Sequence, residues 1–78
     1  MKSRITSKFR KLFDELPQSV QQQAREVYRQ FMREPWHSGL RFKRIHNSLP
    51  IYSVRIGKGY REVGIHNENG VVWFWIDS

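Results

Sequence analysis

The chain has 78 residues and a formal net charge of +7, with 14 lysines and arginines set against 7 acids. A chain of this length makes one domain, 1–78, with room for one sheet and two helices over a small core. Hydrophobic residues at 38% and aromatic residues at 14% suffice for that core, while the absence of cysteine excludes a disulfide framework, a thiolate metal site and a cysteine nucleophile. No apolar run is long enough to cross a bilayer, and Met1-Lys2-Ser3-Arg4 runs into polar residues rather than a signal-peptide core. The expected location is the cytoplasm, away from any membrane.

Residues before Thr6 can form one short strand. From Thr6 to Leu16 the apolar residues Phe9, Leu12, Phe13 and Leu16 recur at helical spacing, and Thr6 or Ser7 can cap the start. Pro17 ends that helix or opens the next. Ser19 and Gln22 have capping-box spacing ahead of a second periodic run, Val20, Ala24, Val27, Tyr28 and Phe31. That run stops near Glu34-Pro35, because proline disfavours helical geometry in the residue before it. So short a link predicts an antiparallel helical hairpin, with Phe9, Leu12 and Phe13 facing Val27, Tyr28 and Phe31 or a sheet beneath both.

After Gly39 the pattern changes to β-type residues separated by turn signals. Strands are expected at Arg41–His46, Ile51–Ile56, Tyr60–His66 and Val71–Ile76, joined by Asn47-Ser48-Leu49-Pro50, Gly57-Lys58-Gly59 and Asn67-Glu68-Asn69-Gly70. The expected fold class is α+β, an N-terminal helical hairpin packed on a small, mostly antiparallel twisted sheet of about four strands. Alternation puts Tyr52, Val54 and Ile56 on one face and Ser53 and Arg55 on the other, less buried one. The last strand is apolar on both faces, which predicts a central position covered on both sides, with Trp73 and Trp75 in the core. Trp36, between a proline and a histidine, fits core or surface equally.

Between Glu34 and Glu62 there is no acid, whereas Arg41, Lys43, Arg44, Arg55, Lys58 and Arg61 fall there together with His37 and His46. Trp36, Phe42, Tyr52 and Tyr60 are interleaved with them. A charge run is usually a solvated face, but cations beside flat rings suit phosphate contact and base stacking, and the missing acids point to an anionic partner, either nucleic acid or an acidic protein. The histidines are scattered, and no HExxH, paired-carboxylate or glycine-rich phosphate motif is present, so neither a metal nor a cofactor is expected. Gly57-Lys58-Gly59 reads as a hairpin turn rather than a phosphate loop.

One reaction suits this inventory: metal-free RNA cleavage, in which the 2′-hydroxyl attacks the neighbouring phosphate. It needs cations around the phosphorane, and Arg55 and Arg61 can supply them, since guanidinium forks match phosphate oxygens. It also needs a proton acceptor and a donor, for which Lys58, Tyr60 or His46 could serve if their surroundings tuned them.

The segment Ile51-Tyr52-Ser53-Val54-Arg55-Ile56-Gly57-Lys58-Gly59-Tyr60-Arg61, followed by Val71-Val72-Trp73-Phe74-Trp75-Ile76, resembles the sheet of RelE/ParE-superfamily toxins. Phe9 to Leu16, Leu16-Pro17 and the helix through Ala24, Tyr28 and Phe31 resemble that family's helical hairpin, and Leu40-Arg41-Phe42-Lys43 resembles the strand after it. The resemblance implies the toxin of a type II toxin–antitoxin system, an mRNA interferase that cuts messenger RNA in the ribosomal decoding site and so inhibits translation. It implies the ribosome, mRNA and a cognate antitoxin as partners, the last in a toxin–antitoxin hetero-oligomer. Arg55 and Arg61 become the catalytic phosphate and transition-state ligands, with Arg41, Lys43, Arg44, Lys58, Tyr60 and His46 as RNA-binding residues. Ser53 stands where some relatives carry a further lysine. Similar chains also continue past the last strand into a segment with a histidine or arginine and a tyrosine, so weakened or absent cleavage is implied for a chain that stops at Ser78. The alternatives are a ParE-like inhibitor of DNA gyrase that acts by protein binding, and a non-catalytic nucleic-acid-binding module.

Overall fold

In the computed structural model, which describes residues 1–78, Thr6 follows a first strand, β1 (Ser3–Ile5), and opens the first helix, α1 (Ser7–Asp14). Its hydroxyl accepts a hydrogen bond from the Phe9 N–H at 3.1 Å, which satisfies one of the helix's unpaired donors. The second helix, α2 (Gln18–Arg33), starts after Pro17 and has no side-chain cap. The expected capping box does not form, because Ser19 lies inside the first turn of α2. The Gln21 amide instead donates to the carbonyls of Phe13 and Leu16, at 3.0 and 3.2 Å. That stitch satisfies carbonyls at the end of α1 and ties the two helices into the expected hairpin.

Glu34 leaves helical geometry ahead of Pro35, as the sequence predicts. A 3₁₀ turn at Ser38–Leu40 and a left-handed Arg41 then occupy part of the segment expected to be extended, so β2 is only Lys43–Arg44 instead of Arg41–His46. β3 (Ile51–Ile56) agrees with expectation, whereas β4 (Tyr60–Asn67) and β5 (Gly70–Asp77) run slightly longer. The sheet has five strands in the order β1-β5-β4-β3-β2. β1 runs parallel to β5, with Ser3 opposite Val71 and Ile5 opposite Trp73, and the other pairings are antiparallel. No helix is long and apolar enough to cross a membrane.

Both helices pack on the same face of this sheet. Phe9 of α1 and Ala24 and Phe31 of α2 join Val54, Ile56, Val71, Trp73 and Ile76 in one core. Phe31 meets Trp73 edge to face, with ring centroids 5.4 Å apart and an interplanar angle of 75°. The other face has no helix over it, which corrects the expectation that β5 is covered on both sides. β5 is interior by pairing only.

A register shift decides which β5 side chains enter the core. Gly64 pairs with Trp73 but Val63 pairs with Trp75, so β5 carries one extra residue there. Trp73 and Ile76 consequently both face inward, at 1% and 0% exposure, and Trp75 faces the open side at 39%. The placement of Trp75 in the core is therefore corrected: it rested on the apolar character of a strand expected to be covered on both sides, and the bulge turns Trp75 to the face that has no cover. Gly64 makes room for this arrangement: an added Cβ would lie 2.8 Å from both the Trp73 ring and the Val72 carbonyl oxygen.

One charged residue shares the core face. Glu62 stands between Val54 on β3 and Ile76 on β5 and is 5% exposed. Burial pushes its carboxyl up from 4.5 to about 8. Because the folded-state value lies above the unfolded one, the native state holds an extra proton between them. The stability that this proton carries is fully present below 4.5 and is lost as pH rises through about 8. The full loss is about 5 kcal/mol at most, taking roughly 1.4 kcal/mol per pKa unit. Urea unfolding at about pH 5 and about pH 9 should show the wild type weaker at the higher pH and Glu62→Gln nearly flat; parallel slopes would refute this origin.

Candidate functional site

With the helices on one face, the side chains that alternate outward form a second surface, which the register sorts into tiers. Val72, Ile65 and Ile51 make an apolar tier, and Trp75, Val63, Ser53 and Lys43 make a mixed one. The third runs Asp77, Arg61, Arg55. Arg55 and Arg61 thus sit directly across from each other, both exposed. Like charges in that position are destabilising unless an anion bridges them. The Arg55 Nε donates to the Gly57 carbonyl at 2.8 Å, which holds its guanidinium at the β3–β4 turn. Gly57 itself takes a positive φ of 58° in that turn, a conformation open to glycine at little cost.

These two arginines line a cavity of about 350 Å³ together with Arg41, Lys43, Ser53, Lys58, Tyr60 and Ser78. Its charged side chains are all basic, so their fields add, and the nearest acid in the same tier is Asp77, across from Arg61. Ser53 faces outward as expected, yet it is enclosed, at 3% exposure. Arg41 enters from the loop before β2, and it is the only residue other than glycine with positive φ, at 51°. Its N–H donates to the Ser38 carbonyl at 3.3 Å, closing the 3₁₀ turn. The left-handed conformation costs an L-residue about 1–2 kcal/mol.

The structure brings Arg41, Lys43, Arg55, Lys58, Tyr60 and Arg61 together at this cavity. It places Arg44 and His46 elsewhere. Arg44 pairs with Tyr52, and its Nε donates to the Leu49 carbonyl at 3.2 Å. The His46 Nδ1 accepts from the backbone N–H groups of Ser48 and Leu49, at 3.1 and 3.0 Å, and so shapes the turn between β2 and β3. Trp36 packs against Phe42 at 4.8 Å between centroids but remains 61% exposed.

A larger cavity, of about 640 Å³, opens on the opposite face between β1, the two helices and the sheet, and Glu62 lines it. Composition did not single out Glu62. Strand parity could have, since an outward Arg61 requires the next residue to point inward.

Solved chains with this architecture come from toxin–antitoxin complexes. A chain of the RelBE2 complex from Mycobacterium tuberculosis superposes with a TM-score of 0.76 at 22% identity, covering 96% of this chain and 93% of that one. For the intact RelBE complex of E. coli the TM-score is 0.74 at 14% identity, covering 97% and 93%. For the archaeal RelE–RelB complex of Pyrococcus horikoshii OT3 the TM-score is 0.72 at 17% identity, covering 97% and 91%. No curated protein matches the sequence. The shared architecture defines a RelE-type fold, an α+β sandwich of a helical hairpin on one face of a mostly antiparallel sheet. The profile of the ParE-like toxin domain matches residues 18–78, and the chain belongs to that family of toxins within the RelE/ParE superfamily.

The strained Arg41 separates binding from stability. Arg41→Gly should raise the unfolding free energy by about 0.5–1 kcal/mol by relieving the left-handed backbone and, if the basic cavity binds RNA, should weaken the affinity for a short oligoribonucleotide in a fluorescence-anisotropy titration. Unchanged affinity would remove Arg41 from the binding surface.

Proposed function

We propose that this toxin is a ribosome-dependent, metal-free endoribonuclease that cuts messenger RNA in the cytoplasm and so inhibits translation. The observation that carries the reading is the cross-strand pair of Arg55 and Arg61 on the uncovered face, at a cavity whose charged lining is entirely basic. A guanidinium fork matches the non-bridging oxygens of a phosphodiester and keeps its charge at any working pH. Two forks side by side stabilise the extra negative charge of a phosphorane better than that of the ground-state diester, which is the condition for catalysis.

In the reaction, the 2′-oxygen forms a bond to the adjacent phosphorus, and the bond from phosphorus to the 5′-oxygen breaks. The products are a 2′,3′-cyclic phosphate and a 5′-hydroxyl. One proton leaves the 2′-hydroxyl and one reaches the departing 5′-oxygen. Lys58 and Tyr60, with Lys43 beside them, are the lining groups other than the guanidiniums that we assign to this exchange. His46, engaged by two backbone donors in its turn, stands away from this cavity.

The structurally similar chains come from complexes with antitoxins, and a cognate antitoxin is proposed here as well, with an acidic segment across the Arg41 to Arg61 surface. It would suppress the toxin by occupying the phosphate sites. The ParE-like family match favours a second reading, inhibition of DNA gyrase by protein contact.

Primer extension on a reporter mRNA in cell-free translation separates these readings. Wild-type protein should produce cuts only when ribosomes are present, and Arg55→Ala/Arg61→Ala should reduce them by about 100-fold or more. Intact mRNA in every lane, together with gyrase inhibition that survives the double substitution, would establish the second reading instead. RNA binding that falls steeply with salt while the strand stays intact would leave only a nucleic-acid-binding module.

A further inference from the structure

The larger cavity lies on the face away from Arg55 and Arg61, and its chemistry differs from theirs. Phe9, Phe13, Tyr28 and Trp73 supply aromatic walls, and Glu62 is the one acid in the lining. Arg10 of α1 and Arg25 and Arg29 of α2 complete it, and Arg4 borders it on β1, where its pairing with Val72 turns its side chain towards the open face. Arg25 is stacked over the Phe13 ring at 5.2 Å. No fully enclosed side-chain oxygen or nitrogen in the chain lacks a partner. The Glu62 carboxyl has neither a hydrogen bond nor an ion pair, so its oxygens must keep their contact with the cavity itself. An acid that is 5% exposed and lines open volume, without any of the neighbouring arginines on it, is a hydrogen-bonding group awaiting a ligand.

We propose that this cavity binds a small amphipathic monoanion, an arene- or alkyl-carboxylate, whose apolar body lies against Phe9, Phe13, Tyr28 and Trp73 and whose anionic end meets the arginine collar while Glu62 donates a hydrogen bond to it.

The volume of about 640 Å³ suits a ligand of that size. The walls are apolar and the polar groups few and convergent, as in small-molecule sites generally. The charge sign follows from the lining: cationic groups at the rim attract an anion and repel an amine. A buried carboxyl with no cation on it stays protonated near neutrality and acts as a donor. The titratable groups that share the cavity lining with Glu62 are Arg10 from α1 and Arg25, Tyr28 and Arg29 from α2, with Arg4 at the β1 edge, while its strand neighbours Val54 and Ile76 bring no charge. The binding surface is independent of the basic cavity on the other face and would survive the loss of Arg55 and Arg61.

Nature has placed a reporter in the wall. The Trp73 indole Nε1–H donates to the Ser3 Oγ at 3.0 Å, and both residues line the cavity. The experiment titrates 4-phenylbutyrate into isotopically labelled full-length protein and follows the Trp73 indole resonance. The charge-reversed 4-phenylbutylamine and inorganic phosphate serve as controls. A saturable shift is expected with the acid alone, with affinity lower by about ten- to hundredfold in Glu62→Val, retained in Glu62→Gln, and unchanged in Arg55→Ala/Arg61→Ala. Wild-type affinity should fall as pH rises through about 8, and that of Glu62→Gln should not. Equal binding of the amine, an affinity indifferent to Glu62→Val, or no saturable shift up to the solubility of the acid would overturn the proposal. A cavity that refuses the acid but is closed by a partner polypeptide would overturn it as well.

Discussion

Trp73 joins parts of the chain that are far apart in sequence. Its indole N–H bonds to Ser3 on β1, its ring meets Phe31 of α2 edge to face, and Phe42 lies 6.3 Å away ahead of β2. Gly64 across the ladder leaves the space that the ring needs. Sheet, hairpin and first strand are thereby fixed to one side of one residue. Once every helix is committed to that side, the reverse of the sheet is left uncovered, and the outward residues of β3 and β4 become a surface rather than a core.

That division of labour explains how so short a chain carries a site. The inward face supplies the apolar burial that holds the fold together. The outward face can then tolerate two opposed arginines, because their mutual repulsion is spread into solvent rather than confined under a helix. Rigid strands, not loops, set the spacing of those arginines, which favours a geometry maintained before any ligand arrives. Arg41 and Lys58 come from turns at the margin and add charge with more freedom of approach.

Much of this was legible in the residues. The β3 strand, the glycine turn after it and the outward position of Arg55 follow from alternation and turn chemistry alone. The grouping of Arg41, Lys43, Arg55, Lys58 and Arg61 was visible as a stretch without acids. Three features were not legible. The bulge in β5 reverses the faces of the residues beyond it, and one inserted residue leaves no mark in an all-apolar strand such as Val71 to Ile76. Arg41 looks like a strand residue until its left-handed backbone is seen. The parallel pairing of β1 depends on contacts some 70 residues away, which local periodicity does not encode.

The pairing of β1 with β5 also has a bearing on synthesis. β5 fills the position between β1 and β4 and carries Val71, Trp73 and Ile76 into the core. Until Gly70–Asp77 has been made and has left the ribosome, the helical hairpin has no sheet to complete its burial, and β1 has no strand to pair with. The nascent polypeptide is therefore unassembled during most of its own translation. Folding must wait for a contact between its two ends, a non-local closure of the kind that slows folding. A toxin whose sheet is closed by its last strand cannot present the finished outward face until that strand is free to pair.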